Sequence, residues 1–173
     1  MRKTLVLVAA LSFIALLSAG APSAEAKDGR DKVRVPKIME FDTMVGVPAA
    51  LTGVQQPIRG INGGGLPWMI GGASGELKAN GHLEIAVAGL VFAAGPNTGS
   101  NTVPSFRAVV SCITSDGSVV NVATPPFPAS TGPASSGGGD AAFEGDLALP
   151  QPCIAPIVFV TSPGLAWFAT TGH

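Results

Sequence analysis

Tyrosine is absent from this chain, and histidine and cysteine occur only twice each. Charged residues make up 12% of it, about half the share of an ordinary soluble domain. Each shortage excludes something. Two cysteines and one internal histidine, His82, leave almost no donor set for a zinc site, and His173 is terminal. Low charge excludes charge-rich disorder and coiled coil. Beyond residue 37 only Arg59, Lys78 and Arg107 are basic, too few to follow a phosphate backbone, so nucleic-acid binding is set aside. Amphipathic helical periodicity is missing after residue 26. What is abundant is glycine (23) and proline (15), the punctuation of a chain built from short strands and turns.

The first 26 residues read as an export signal. Arg2 and Lys3 precede an apolar run over residues 4–21, and Ala24-Glu25-Ala26 gives the small-x-small pattern of a cleavage site before Lys27. The apolar run is near the lower limit for a membrane span, but Pro22 and the Ala-x-Ala site favour cleavage. No second run of that length follows, so no membrane span is expected in the mature chain. Export would place the protein outside the cytoplasm, secreted, periplasmic or at the cell surface. In that oxidising setting Cys112 and Cys153 are expected to pair as a structural staple. A redox role is disfavoured: the spacing is not C-x-x-C, and no Lys, Arg or His adjoins either thiol.

Residues 27–44 read as a basic, partly flexible arm. Its first eleven residues hold Lys27, Arg30, Lys32, Arg34 and Lys37 against Asp28 and Asp31, a net charge of +3, whereas residues 38–173 carry −5. Such an arm suits contact with an anionic cell-surface polymer or lipid, and a solvated terminus is the simpler reading.

Residues 45–173 read as one β domain. Residues 75–80 and 82–92 alternate around Asn80-Gly81, a hairpin signal. Residues 106–114 and 118–124 form a second hairpin around Ser115-Asp116-Gly117. Residues 125–140, rich in Pro, Ser and Gly, are expected to form no ladder. Alternation resumes over 141–149, residues 153–161 suit a central strand, and 165–170 a last one. Seven or eight short strands without a helix predict a single-domain antiparallel β-sandwich with one disulfide, a β-barrel being the alternative.

The most conspicuous segment is Arg59-Gly60-Ile61-Asn62-Gly63-Gly64-Gly65-Leu66-Pro67-Trp68. It is neither a phosphate loop nor a dinucleotide fingerprint, since no Lys-Ser/Thr and no helix follow, and no cofactor is expected. It reads as a loop of positive φ values closing over the core with Trp68 as its plug. Arg59 and Trp68 are the candidate ligand-binding pair, a guanidinium and an aromatic face suited to sugars or anions. No catalytic residue is assigned. Gly72-Ala73-Ser74-Gly75-Glu76 lacks the last glycine of a nucleophile elbow. Glu76 with Glu84, and Glu144 with Asp146, read as solvated sheet faces; as glycosidase carboxylates they would need a cleft. Calcium at Asp140, Glu144 and Asp146 lacks a surrounding loop motif.

Four segments carry a resemblance. They are Met44-Val45-Gly46-Val47-Pro48; Pro57 through the glycine triplet to Trp68; residues 106–112 with 116–121; and residues 152–160. Over residues 44–168 the chain resembles a family of small secreted bacterial proteins without a known activity. The resemblance implies export and a compact β domain and supplies no ligand or catalytic residue. The sequence thus points to an exported, non-catalytic surface, matrix or ligand-binding module. A secreted hydrolase using carboxylates and a subunit of a cell-envelope assembly are the alternatives.

Intact mass of the secreted protein is expected to start at Lys27, with neither thiol alkylated before reduction. A retained leader or a free thiol would overturn the compartment argument.

Overall fold

The computed structural model describes residues 34–54 and 56–171. The signal sequence, residues 27–33 of the arm and His173 lie outside the described residues. In chain order the strands are β1 (Lys37–Phe41), β2 (Val45–Gly46), β3 (Trp68–Met69), β4 (Gly72–Lys78), β5 (His82–Ala88), β6 (Val91–Phe92) and β7 (Ser100–Asn101). They continue with β8 (Ser105–Ile113), β9 (Val119–Ala123), β10 (Phe127–Pro128), β11 (Gly132–Pro133), β12 (Ala141–Asp146), β13 (Ile154–Thr161) and β14 (Trp167–Thr170). Eight of these are four residues or longer.

Two antiparallel sheets organise the fold. The smaller has the order β1-β4-β5-β12. The larger has the order β10-β8-β13-β14-β2, with β9 also paired to β8. The sheets keep open edges, so the fold is a sandwich and not a closed barrel. The apolar faces meet in one core. There Trp68 stacks on Phe168 with ring centroids 4.0 Å apart and packs on Phe92 at 4.1 Å, while Phe127 of the larger sheet meets Phe143 of the smaller at 5.4 Å.

The smaller sheet follows the sequence alternation directly. Leu83, Ile85 and Val87 of β5 are buried, while Glu84, Ala86 and Ala88 face outward. The connection from Lys78 to His82 has three residues, closed by a hydrogen bond from the Gly81 amide to the Lys78 carbonyl (2.9 Å). Gly81 takes φ +91, and a Cβ there would lie 1.9 Å from the Leu147 carbonyl oxygen, so glycine is required twice over. The second hairpin also forms as read: the Ser118 amide and the Thr114 hydroxyl both donate to Asp116 Oδ1 at the turn.

The larger sheet departs from simple alternation because both of its faces are buried. Phe106, Ala108 and Val110 of β8 point into the core; Val109 and Ser111 point the other way and are still only 2% and 0% exposed. A sheet covered on both sides needs near-continuous apolar strands, and central β13 supplies Val158, Phe159 and Val160, all fully buried. The outer cover is the irregular segment before β3. Its Gly64 amide donates to the Trp167 carbonyl, the Trp167 amide to the Asn62 carbonyl, and the Arg59 guanidinium to the Ser111 carbonyl.

Several expectations are corrected. The triplet Gly63-Gly64-Gly65 does not take positive φ; Arg59 and Gly60 do. The triplet is selected by close approach, since a Cβ on Gly63 would lie 2.0 Å from the Leu51 carbonyl oxygen. Residues 125–140 do form ladders, though only the two-residue pairings of β10 with β8 and β11 with β7. The ordered sheet begins at Lys37, within residues 27–44 and at the head of residues 38–47, which the sequence allows as either a first strand or an extended arm. The last strand starts at Trp167, and Leu165 belongs to the preceding turn.

Cys112 and Cys153 are bonded, with their Cα atoms 4.9 Å apart. The bridge joins adjacent β8 and the start of β13, within one sheet. It spans 41 residues, a loop whose closure in the unfolded chain is worth about 4 kcal/mol in the chain-entropy model. The double substitution Cys112→Ala, Cys153→Ala is therefore expected to lower the unfolding free energy in urea by about 2–4 kcal/mol while leaving the far-ultraviolet spectrum β. An unchanged midpoint would show that the bridge is not what holds β8 against β13.

Candidate functional site

The two residues singled out by sequence fall in different environments. Trp68 is 4% exposed, and its ring is enclosed by Phe92, Phe106 and Phe168. It is a core plug with no face open to a ligand. Arg59 is half-buried on the far side of the larger sheet, where Nη1 donates to the Ser111 carbonyl (2.9 Å). The structure does not bring the two side chains together.

Arg59 instead borders a pocket of about 300 Å³ between the covering segment and the outer face of the larger sheet. One wall is Gly60-Ile61-Asn62, and the other is Gly164-Leu165-Ala166. The floor is Val109 of β8 with Asn121 and Ala123 of β9. The walls are tied to the floor and to each other. Asn121 Nδ2 donates to the Arg59 carbonyl (3.0 Å), and the Trp167 amide donates to the Asn62 carbonyl (2.8 Å). The opening is therefore built before any ligand arrives.

Strained backbone stands in one wall and just before the other. Arg59 takes φ +49 and Leu165 φ +68, a region that costs a non-glycine residue about 1–3 kcal/mol. The turn around Leu165 is locked by its amide on the Ser162 carbonyl (2.9 Å) and by the Ala166 amide on Ser162 Oγ (3.1 Å). Leu165 is also 43% exposed. A leucine there serves neither the core nor the backbone conformation. The alternation that puts Val109 on the floor puts Arg107 and Ser111 on the same face. Arg107 Nε, Ser111 Oγ and Trp167 Nε1 are buried on it without a hydrogen-bond partner among the described residues.

A second feature lies on the exposed face of the smaller sheet. Strand register sets Glu40, Glu76, Glu84 and Glu144 side by side across all four strands. The adjoining row is Lys37, Lys78, His82 and Asp146. Lys78 Nζ lies 3.0 Å from Glu76 Oε1, Lys37 Nζ 3.4 Å from Glu76 Oε2 and 2.8 Å from Glu40 Oε2. His82 Nδ1 sits 2.9 Å from Asp146 Oδ1, and Nε2 3.5 Å from Glu144 Oε1. Glu84 has no ionic partner among the described residues. The Lys78 contact holds the Glu76 carboxyl below its ordinary range against the opposing effect of burial, with Lys37 adding to it. Glu40 and then Glu76 hold the Lys37 ammonium above its ordinary range. Asp140 is not part of this row; its Oδ1 accepts from the Gly89 amide (2.8 Å) and closes a loop. No group of acidic, His or Cys side chains among the described residues is arranged to hold a metal ion.

Comparison with protein-family models, with curated proteins and with solved structures finds no match. The site is therefore read from its own chemistry. The sequence pointed to Arg59 and Trp68; Arg59 adjoins the pocket, Trp68 does not, and the sequence named none of the lining residues Asn62, Asn121 and Leu165 as a ligand contact. The available signal was a bulky apolar residue directly after Ser162-Pro163-Gly164, where the chain was still turning.

The carboxylate row makes a signed prediction. Glu76→Gln removes two ion pairs and is expected to lower Tm, whereas Glu84→Gln relieves like charge between Glu76 and Glu144 and is expected to raise it, each by about 1–3 °C. A carboxyl held below its ordinary value stabilises above that range, and the effect is lost as pH falls through the depressed value. The Glu76→Gln loss should thus fade in acid, and both shifts should shrink in high salt. Shifts of the same sign at neutral pH would contradict the pairing.

Proposed function

We propose that the protein is an exported β-sandwich that acts outside the cytoplasm by binding and not by turnover. One observation carries this reading: a preformed pocket with an exposed leucine held in left-handed backbone in one wall, and Arg59, likewise left-handed, immediately before the other. Strain concentrates where a fold serves a purpose other than its own stability. The disulfide, and the fact that no helix among the described residues is long and apolar enough to cross a membrane, are compatible with an extracytoplasmic location.

The hydrolase reading draws on the carboxylate row. Partners directly opposite in a sheet hold their Cβ atoms about 4.5–5.5 Å apart, so Glu76, Glu84 and Glu144 stand at a spacing a retaining glycosidase could use. The chemistry points the other way. A general acid needs a carboxyl held above its ordinary value, and the lysines hold Glu76 below it. The envelope-subunit reading draws on Val119, Ile113 and Ile154, which register places in one row; Val119 and Ile154 are 46% and 45% exposed.

The test is co-sedimentation of the purified mature protein with cellulose, chitin and peptidoglycan, with soluble reducing ends measured in the supernatant. Retention on one of them without sugar release is expected. Release that disappears in the Glu84→Gln, Glu144→Gln double variant would replace the binding reading with the hydrolase.

A further inference from the structure

We infer that the pocket beneath the glycine-rich segment takes one neutral, hydroxylated ring, the size of a single sugar residue. The inference rests on the binding-module reading and gives it a ligand class. Three features of the pocket select that chemistry.

The first is size. At about 300 Å³ the pocket is at the small end of ligand sites and holds one ring rather than a chain. The second is charge. No acidic or basic side chain lines it, and the guanidinium of neighbouring Arg59 is committed to the Ser111 carbonyl. An ion entering there would lose its hydration without gaining a counter-charge. The third is the division of the lining into an apolar and an amide part. Leu165 and half-buried Ala123 offer an aliphatic surface for the C–H face of a ring, backed by the buried Val109 and Ile61. Asn62 and Asn121 offer amides to its hydroxyl edge. Asn121 uses Nδ2 on the Arg59 carbonyl and keeps Oδ1 as an acceptor, and the Asn62 side chain is exposed with no partner among the described residues.

The arrangement explains why Leu165 is retained in left-handed backbone. Glycine would relax the turn, but it would remove the apolar wall that faces Ile61. The same trade applies at Arg59, whose strained carbonyl is the group that orients Asn121. Backbone strain and ligand chemistry therefore point to the same few residues.

The experiment is amide NMR titration of the full mature protein. The neutral probes are glucose, galactose, N-acetylglucosamine and myo-inositol; the charged counterparts are glucuronate and glucosamine. Methyl glycosides distinguish a residue within a glycan, with its anomeric carbon blocked, from a free sugar. At least one neutral probe is expected to give saturable shifts confined to residues 60–62, 121–123 and 164–166, with its charged counterpart weaker by about fivefold or more. Asn62→Ala and Leu165→Gly are expected to weaken binding by about fivefold or more, with Tm unchanged for the first and unchanged or raised for the second. No saturable shift up to about 100 mM, equal response to the charged sugars, or shifts at the carboxylate row would overturn the assignment. Polymer retention that persists in both variants would overturn this pocket alone and leave the binding-module reading standing. Sugar release would remove both.

Discussion

The closest backbone approach in the covering segment sets the terms for the rest of the structure. A side chain on Gly63 would collide with the Leu51 carbonyl, and one on Gly64 would press on the rings of Phe168 and Trp68. Bare backbone can lie flat there, and its amides and carbonyls then pair with Trp167 on the edge of the larger sheet. Flattening brings Ile61 down into the core and Arg59 within reach of β8. The same segment supplies Gly60-Ile61-Asn62 as the wall beside Val109 on the outer side of the sheet. The glycine triplet is thus a packing device. The pocket is the space left where the segment, having crossed the sheet, stops short of the turn that holds Leu165.

The two sheets meet water in opposite ways, and the difference reaches down to residue choice. The smaller sheet has one dry face, so its strands alternate, and its wet face carries seven of the thirteen formally charged Asp, Glu, Lys and Arg side chains among the described residues. Four glutamates in register repel one another; the row is held by cations placed one step along the strands, with Lys37 and Lys78 flanking Glu76. Glu84 lies in the middle of the row without such help. The larger sheet has two dry faces and admits almost no charge. Its only outward cation, Arg107, is half-buried with Nε unpartnered. Of the few charged side chains, seven of the thirteen among the described residues thus share one sheet face, and the strands of the larger sheet contribute only Arg107.

Most of the regular structure was legible because it repeats. Residues 82–88 alternate with period two, Asn80-Gly81 and Asp116-Gly117 mark the hairpins, and residues 153–161 are apolar enough for a central strand. The covering segment was not legible, because irregular backbone has no period, and glycine reads alike whether it is needed for φ or for space. Here Gly60 is needed for the first and Gly63 for the second. The carboxylate row escaped for another reason. Alternation puts Glu84 and Glu144 on wet faces, but only the pairing of β5 with both β4 and β12 places them beside each other. The pocket draws on residues 60–62, 109, 121, 123 and 164–166, which no local pattern connects.

Trp68 and Leu165 show how composition misleads about sites. A tryptophan beside a glycine run looks like a ligand platform, and a leucine after a turn looks like the start of a strand. The fold reverses the assignments. With no tyrosine and few aromatics, the core claims the large rings it has: Trp68 joins Phe92, Phe106 and Phe168 at its centre. The outer surface is left to aliphatic and amide side chains. A binding face made from such material gains little from stacking, so its selectivity has to come from shape and hydrogen-bond placement, and both require a rigid backbone. The strain at Arg59 and Leu165 is the form that rigidity takes. It is held by a hydrogen bond from Asn121 to the Arg59 carbonyl and one from the Ala166 amide to Ser162 Oγ, which would be superfluous if the loops had only to connect strands.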